Sequence, residues 1–238
     1  MKTRRLGKQG PLLTEIGFGT WAIAGPWRLG WGHRDDSLST ATIRKALDLG
    51  INWIDTAPAY GLGYGEEIVG RAISGHGHKV LLATKCGYLW DDQGRMFLDG
   101  EPATIRKDCE ASLRRLKIDC IDLYQIHSWD RRTPVEESWG EMVRLKEEGK
   151  VRYIGLSNFS LDLLKKCSEI YPIDSLQIPY SMAYQAVESR ILPWCLENGV
   201  GVLAYSPLQS GILSGKFDKA RMKNLPQNDW RTSADPAM

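Results

Sequence analysis

Short apolar runs that each stop at a reactive or hydrogen-bonding residue, separated by amphipathic helical patterns, constrain this chain more than any other feature. Residues 51–54 stop at Asp55, 79–84 at Lys85, 121–126 at His127, and 151–156 at Ser157 and Asn158. Residues 175–178, which include Gln177, run into Pro179, and 201–204 end at Tyr205, Ser206 and Pro207. With 15–19 these make seven candidate strands, each short, apolar and bounded by polar or glycine residues as strands buried on both faces are. Helical periodicity fills the intervals at 39–49, 66–73, 103–116 and 134–148, from 160 through 167, and at 188–198. Gly50, Gly149 and Gly199 stand where these patterns end, and Pro134 stands in a first turn. Strand–helix alternation without repeated hairpins predicts an α/β fold of parallel strands joined by crossovers. Two architectures fit, an open doubly wound sheet and a (β/α) barrel.

A dinucleotide-binding open sheet needs Gly-x-Gly-x-x-Gly between its first strand and helix. The nearest match, Gly61-Leu62-Gly63-Tyr64-Gly65, has the wrong spacing and reads better as a turn entering a helix. His76 and His78 have no third ligand nearby, so no metal site is expected. The barrel is therefore favoured, as a single domain over residues 1–238. Charge and cysteine usage narrow the function classes. Lys and Arg number 31 against 29 Asp and Glu, a net +2 with the signs mixed, which gives no footing for nucleic acid or an anionic membrane. No apolar run approaches the roughly 20 residues of a membrane helix, and the basic residues 1–5 precede no apolar stretch of a secretory signal. Five scattered cysteines without a Cys-x-x-Cys pair read as reduced thiols of a cytoplasmic protein.

In a parallel barrel every strand's carboxyl end opens onto one face. A polar residue must appear wherever a strand leaves the core, which accounts for one or two of these ends. An acid, a base and an imidazole at three successive ends ask for more. Asp and Lys are rarely buried unless paired, so Asp55 and Lys85 are expected to form an ion pair.

These residues carry a resemblance. Gly17-Phe18-Gly19-Thr20-Trp21, Asp55-Thr56-Ala57-Pro58-Ala59-Tyr60-Gly61 and Ala83-Thr84-Lys85 resemble, in order, the aldo-keto reductase family. So do Ile121-Asp122-Leu123-Tyr124-Gln125-Ile126-His127, Gly155-Leu156-Ser157-Asn158-Phe159 and Tyr205-Ser206-Pro207-Leu208. Gly-Thr-Trp and residues 211–216 look most like its bacterial branch, related to sugar and inositol-utilisation reductases and to potassium-channel β subunits. The resemblance implies a (β/α)8 TIM barrel that binds NADPH across its carboxyl-end face, NADH being the alternative donor, and reduces small aldehydes and ketones.

It further implies a catalytic set of Asp55, Tyr60, Lys85 and His127. Tyr60 would supply the proton for the developing alkoxide. A free phenol near pKa 10 is a poor acid at neutral pH, so Lys85, held cationic by Asp55, is expected to favour its anion. His127 would donate a hydrogen bond to the carbonyl oxygen. Cofactor contacts are implied at Gly19, Thr20 and Trp21, and on the nicotinamide carboxamide at Ser157, Asn158 and Gln177. Tyr205 would stack on the ring, Ser206, Leu208 and Gly211 would follow the pyrophosphate, and Pro207 is implied as a further cofactor contact.

Tryptophans concentrate in loops on the same face, and Trp27, Trp31, Trp90 and Trp129 are expected to wall a pocket for polar or aromatic aldehydes. Each taken alone reads equally well as local packing. Against the family pattern, only seven strands are legible, and 207–238 reads as the long loop after the seventh. The eighth strand, the last two helices and the segment that holds the adenosine 2′-phosphate are expected to be missing, and a fragment of a longer protein is the favoured explanation. A nucleotide-binding regulatory protein of channel-subunit type, with little turnover, is the rival reading.

Overall fold

The computed structural model describes residues 1–25, 30, 35–75, 79–225 and 229–232, with the Trp230 side chain excepted. Trp27 and Trp31 lie outside the described residues, as do His76 and His78.

Seven parallel strands form one curled sheet. They are β1 (Phe18–Gly19), β2 (Trp53–Asp55), β3 (Leu81–Cys86), β4 (Ile121–Ile126), β5 (Val151–Ser157), β6 (Ser175–Pro179) and β7 (Gly201–Tyr205). Each pairs with its sequence neighbour, so the order runs β7-β6-β5-β4-β3-β2-β1 and every crossover is local. This is the barrel architecture, with seven strands among the described residues and β1 and β7 at its two edges. Helices α1 (Asp36–Asp48), α2 (Tyr64–Ile73), α3 (Pro102–Leu116), α4 (Val135–Glu147), α5 (Leu161–Ile170) and α6 (Ile191–Asn198) fill the crossovers.

Local chemistry sets their bounds. Asp35 accepts from the Leu38 N–H at 2.8 Å, so α1 starts before the apolar periodicity that predicts 39–49. Ser160 caps α5 in the same way, and Gly199 takes the left-handed conformation that ends α6.

The core lies in three layers. Trp139 and Met142 of α4 pack on Tyr124, Ile154 and Leu156 of the sheet's outer face. Ile43 and Leu47 of α1 and Ile68 and Val69 of α2 cover Ile54 and Leu82. Inside the curl, Leu6 and Leu13 meet Ala83, Leu123 and Leu203. Two strands come unusually close there. A Cβ on Gly155 would lie 2.1 Å from the Ser175 hydroxyl oxygen, so β5 can lie beside β6 only with glycine at this position.

The sequence shows strand–helix alternation without repeated hairpins, yet two hairpins flank the parallel strands. Thr3–Arg5 pairs antiparallel with Leu12–Thr14, and Tyr88–Trp90 with Met96–Leu98. The first hairpin closes the floor of the curl and touches both sides of the sheet. The Trp53 indole N–H donates to the Thr14 carbonyl at 3.0 Å near the β1 edge, and the Lys8 N–H donates to the Gly199 carbonyl at 2.8 Å beside β7. The second follows β3 at the opposite, carboxyl-end mouth. Residues after β7 are also not all loop: Asp218 caps a short helix, α7 (Lys219–Lys223), between 3-10 turns at Gln209–Ser214 and Trp230–Thr232. Among the described residues no helix is long and apolar enough to cross a membrane.

Candidate active site

Strand alternation aims Lys85 into the curl and its neighbours Thr84 and Cys86 outward. Lys85 is only 1% exposed, and its ammonium makes three bonds, as many as it has hydrogens. It donates to Asp55 Oδ2 at 2.7 Å, to the Thr56 carbonyl at 3.0 Å and to Tyr60 Oη at 3.3 Å. The expected ion pair is present. In the third of these bonds Tyr60 Oη is the acceptor, so the phenol's own hydrogen is not engaged by Lys85. Asp55 uses its second oxygen, Oδ1, to accept from Gln177 Nε2 at 3.0 Å. That bond crosses the curl from β6 to β2, with three strands between them in the sheet order. His127, one residue past β4, sets its ring perpendicular to that of Tyr60, with centroids 6.0 Å apart.

Electrostatics assign protonation states. Burial works against the Lys85 ammonium, but Asp55 and Tyr60 outweigh it and hold its pKa above the usual lysine value. Burial, reinforced by the Lys85 charge, drives His127 well below the usual imidazole value, so it is neutral at pH 7. For Tyr60, burial raises the pKa, Lys85 lowers it and Asp55 raises it, with a net rise above 10.0. Lys85 favours the Tyr60 anion as expected, but burial and Asp55 together outweigh it. The same Asp55 that keeps Lys85 charged also offsets its field at the phenol.

The implied cofactor residues sit around the same mouth. Asn158 links them: its amide donates to the His127 carbonyl and to Ser157 Oγ, both at 3.1 Å, and its Oδ1 accepts from the Tyr205 hydroxyl at 2.8 Å. Tyr205 is 37% exposed, and burial pushes its phenol up to about 12. Beyond it, Ser206, Gln209 and Ser210, none of them glycine, take positive φ, as does Gly211. Left-handed non-glycine residues are costly and cluster where backbone must face a ligand, and such turns can form anion-binding concavities of N–H groups. Arg231 fastens this segment from below, bonding Asp229 through two nitrogens and the Ser210 carbonyl at 2.9 Å. Pro207 and Leu208 are exposed. Gly19 opens onto free space, and Trp21 is half-buried in the turn Trp21–Ala24. Thr20 is fully buried, and its N–H donates to the Asp55 carbonyl at 3.0 Å, which ties it to the carboxyl end of β2. An exposed aromatic held by Asn158, polar amides beside it and a strained backbone turn next to it together suit a nicotinamide dinucleotide.

Among the expected tryptophans, Trp90 is half-buried on the hairpin over the mouth. Trp129 instead donates its indole N–H to the Thr133 carbonyl of its own loop at 2.8 Å and packs on the outer core, which is local packing. Two participants were missed. The Tyr88 ring stands 4.8 Å from that of His127, nearly perpendicular, and Thr56 contributes only a backbone carbonyl. Tyr88 had a signal, an aromatic three residues past Lys85, whereas a backbone acceptor has none.

Asp108 of α3 supports this wall from behind, accepting from the Gly87 N–H at 3.1 Å while 8% exposed. Burial, only partly offset by the Gly87 bond and Arg115, raises its pKa from 3.8 to about 6. With the folded value raised, its contribution to stability is fully present below 3.8 and is lost as pH rises through 6. At neutral pH the ionised carboxyl costs up to about 3 kcal/mol, at 1.36 kcal/mol per pH unit. Asp108→Asn keeps an acceptor for Gly87, so it is expected to stabilise by on the order of 1–3 kcal/mol at pH 7 and by nothing at pH 4. Urea unfolding at the two pH values checks this.

Known proteins resemble this chain over most of its length. The profile of the Aldo/keto reductase family matches residues 15–235. The chain is 43% identical over 206 residues to aldo-keto reductase YhdN of Bacillus subtilis, covering 86% of this chain and 61% of that protein. It is 38% identical to the NADH-specific methylglyoxal reductase of Escherichia coli, over 92% of this chain and 71% of that one. Among solved structures, the glycerol dehydrogenase AKR11B4 of Gluconobacter oxydans superposes with a TM-score of 0.88 at 41% identity, covering 99% of this chain and 72% of that one. An aldo/keto reductase of Klebsiella pneumoniae in complex with NADP and acetate superposes at 0.74 with 32% identity, covering 94% and 75%. The chain spans 61% of the Bacillus relative and 63% of a soybean one. By the profile, the sequence identities and the shared barrel, the chain belongs to the aldo/keto reductase family.

Proposed function

We propose that this chain is an oxidoreductase that reduces small aldehydes and ketones to alcohols with NADPH, NADH being the alternative donor. The observation that carries the reading is Lys85 Nζ bonded at once to Asp55 and Tyr60 at the mouth of the barrel, beside a neutral His127. A bound reduced nicotinamide supplies hydride to the carbonyl carbon. Ser157, Asn158 and Gln177 would hold its carboxamide, Tyr205 its ring face, and residues 206–211 its phosphates. One similar protein is named as NADH-specific and another structure holds NADP, which supports a nicotinamide dinucleotide without choosing between the two.

The side chains handle the oxygen. As negative charge develops there, the Tyr60 O–H donates and then transfers its proton, and the Lys85 ammonium stabilises the phenolate left behind. His127, neutral and half-buried, can donate an N–H to the same oxygen but cannot be the acid, since it carries no second proton at pH 7. Tyr88 and Trp90 would flank the rest of the substrate.

The protonation states give the pH dependence. Tyr60 must be protonated, and its pKa lies above 10.0, while His127 is already neutral below its ordinary value of 6.5. The chemical step is therefore expected to be flat across neutral pH and to fall only on the alkaline side. Single-turnover rates of aldehyde reduction across pH check it, and a limb centred near 6.5 that belongs to His127 contradicts the assignment.

A further inference from the structure

Gln177 bonds something that a carboxamide-binding role does not require. Its Nε2 donates across the curl to Asp55 Oδ1 at 3.0 Å, between residues 122 apart in sequence. The side chain is 6% exposed, and among the described residues its Oε1 bonds no protein group, although that atom is not sealed from solvent. The amide therefore has two ends with different surroundings: the nitrogen on the Asp55–Lys85 pair, the oxygen at the open mouth.

Resting on the reading above, we propose that Gln177 is a positioning residue that couples the nicotinamide site to Tyr60, by holding the second oxygen of Asp55 and so limiting the negative field that Asp55 places on the phenol. Asp55 has two oxygens and two partners, Lys85 and Gln177. A donor on Oδ1 disperses part of the carboxylate charge and fixes its plane. Without it, Asp55 keeps more negative charge near Tyr60 and is free to draw on Lys85 with both oxygens. Both changes act in one direction: Tyr60 becomes harder to ionise, because Asp55 raises its pKa and Lys85 lowers it. A carboxamide N–H donated to Gln177 Oε1 polarises the amide and strengthens its Nε2–H bond to Asp55. Occupancy of the nicotinamide site would thus ready the acid. Among the described residues, His127, neutral at pH 7, and Tyr205, whose phenol is protonated up to about 12, also face Tyr60. Neither carries a charge that could replace the effect at neutral pH.

The test compares wild type with Gln177→Met, which keeps the length of the side chain and removes the donor. Tyr60 is titrated with no nucleotide present, by NMR of ring-labelled tyrosine, its signal identified with Tyr60→Phe. The expected result is an upward shift of about half to one pH unit in Gln177→Met, and a larger one in Gln177→Glu, which places a second carboxylate beside Asp55. Gln177→Asn, too short to reach Asp55, serves if the Met variant does not fold. The alkaline limb of kcat at saturating NADPH should move by the same amount. If these variants weaken NADPH binding but leave the Tyr60 titration where it is in wild type, Gln177 serves the carboxamide alone and the coupling is wrong. If Tyr60→Phe retains full turnover, the reductase reading itself fails, a different outcome from an unmoved titration.

Discussion

Tyr60→Phe is expected to slow aldehyde reduction by about 10²–10⁴-fold, the range a positioned general acid contributes, while the protein stays folded. The substitution deletes one oxygen. That oxygen accepts the longest of the three Lys85 bonds, at 3.3 Å, and the bonds to Asp55 and Thr56 remain. The cost in stability should therefore be modest, about 1 kcal/mol for each hydrogen bond lost. Chemistry and folding respond on different scales, which separates an acid from a structural tyrosine. A variant that loses turnover only because it unfolds, or that turns over at the wild-type rate, contradicts the role.

Asp55→Asn is expected to be the more damaging change for the fold. It leaves the Lys85 ammonium, 1% exposed, without its counter-charge, and breaking a buried pair from one side costs about 3–5 kcal/mol. Asp55 itself is 14% exposed at its side chain, which places the expectation at the lower end, about 3 kcal/mol. Lys85→Met should cost a similar amount, because among the described residues it leaves the Asp55 carboxylate with only Gln177. The double variant removes both charges and is expected to lie closer to wild type than the sum of the singles, since neighbours in one network are not additive. Urea unfolding of the three variants checks this. Single losses below 1 kcal/mol, or strict additivity, would show that the pair does not organise this end of the barrel.

The strand ends were legible because parallel strands put their chemistry where the apolar run stops. Asp55, Lys85 and His127 could be read as one site from that rule before any distance was known. The same rule could not reveal the two hairpins. Thr3–Arg5 is three exposed residues with no alternation to read, and it is ordered by Leu6 and Leu13 plugging the curl, a long-range event. The Tyr88–Trp90 hairpin did have a local signal, since Asp91 Oδ1 accepts from both the Gln93 and Arg95 N–H groups in a side-chain-stabilised turn. The direction of the Tyr60 shift was illegible for another reason. It depends on the balance of burial, Lys85 and Asp55, and sequence supplies the partners without their distances. Trp129 shows the limit of reading pockets from composition: its partner, the Thr133 carbonyl, lies four residues away, and the indole expected to line the pocket serves its own loop.

The central claim is that this face moves hydride to a carbonyl carbon while Tyr60 supplies the proton. The direct measurement is to incubate the protein with a simple aldehyde and NADPH carrying deuterium at its transferable hydrogen, then to weigh the alcohol formed. The account predicts one deuterium on the former carbonyl carbon, and with Tyr60→Phe the same labelled alcohol formed about 10²–10⁴-fold more slowly. Alcohol formed without deuterium, or no alcohol from folded protein that binds NADPH, would contradict it.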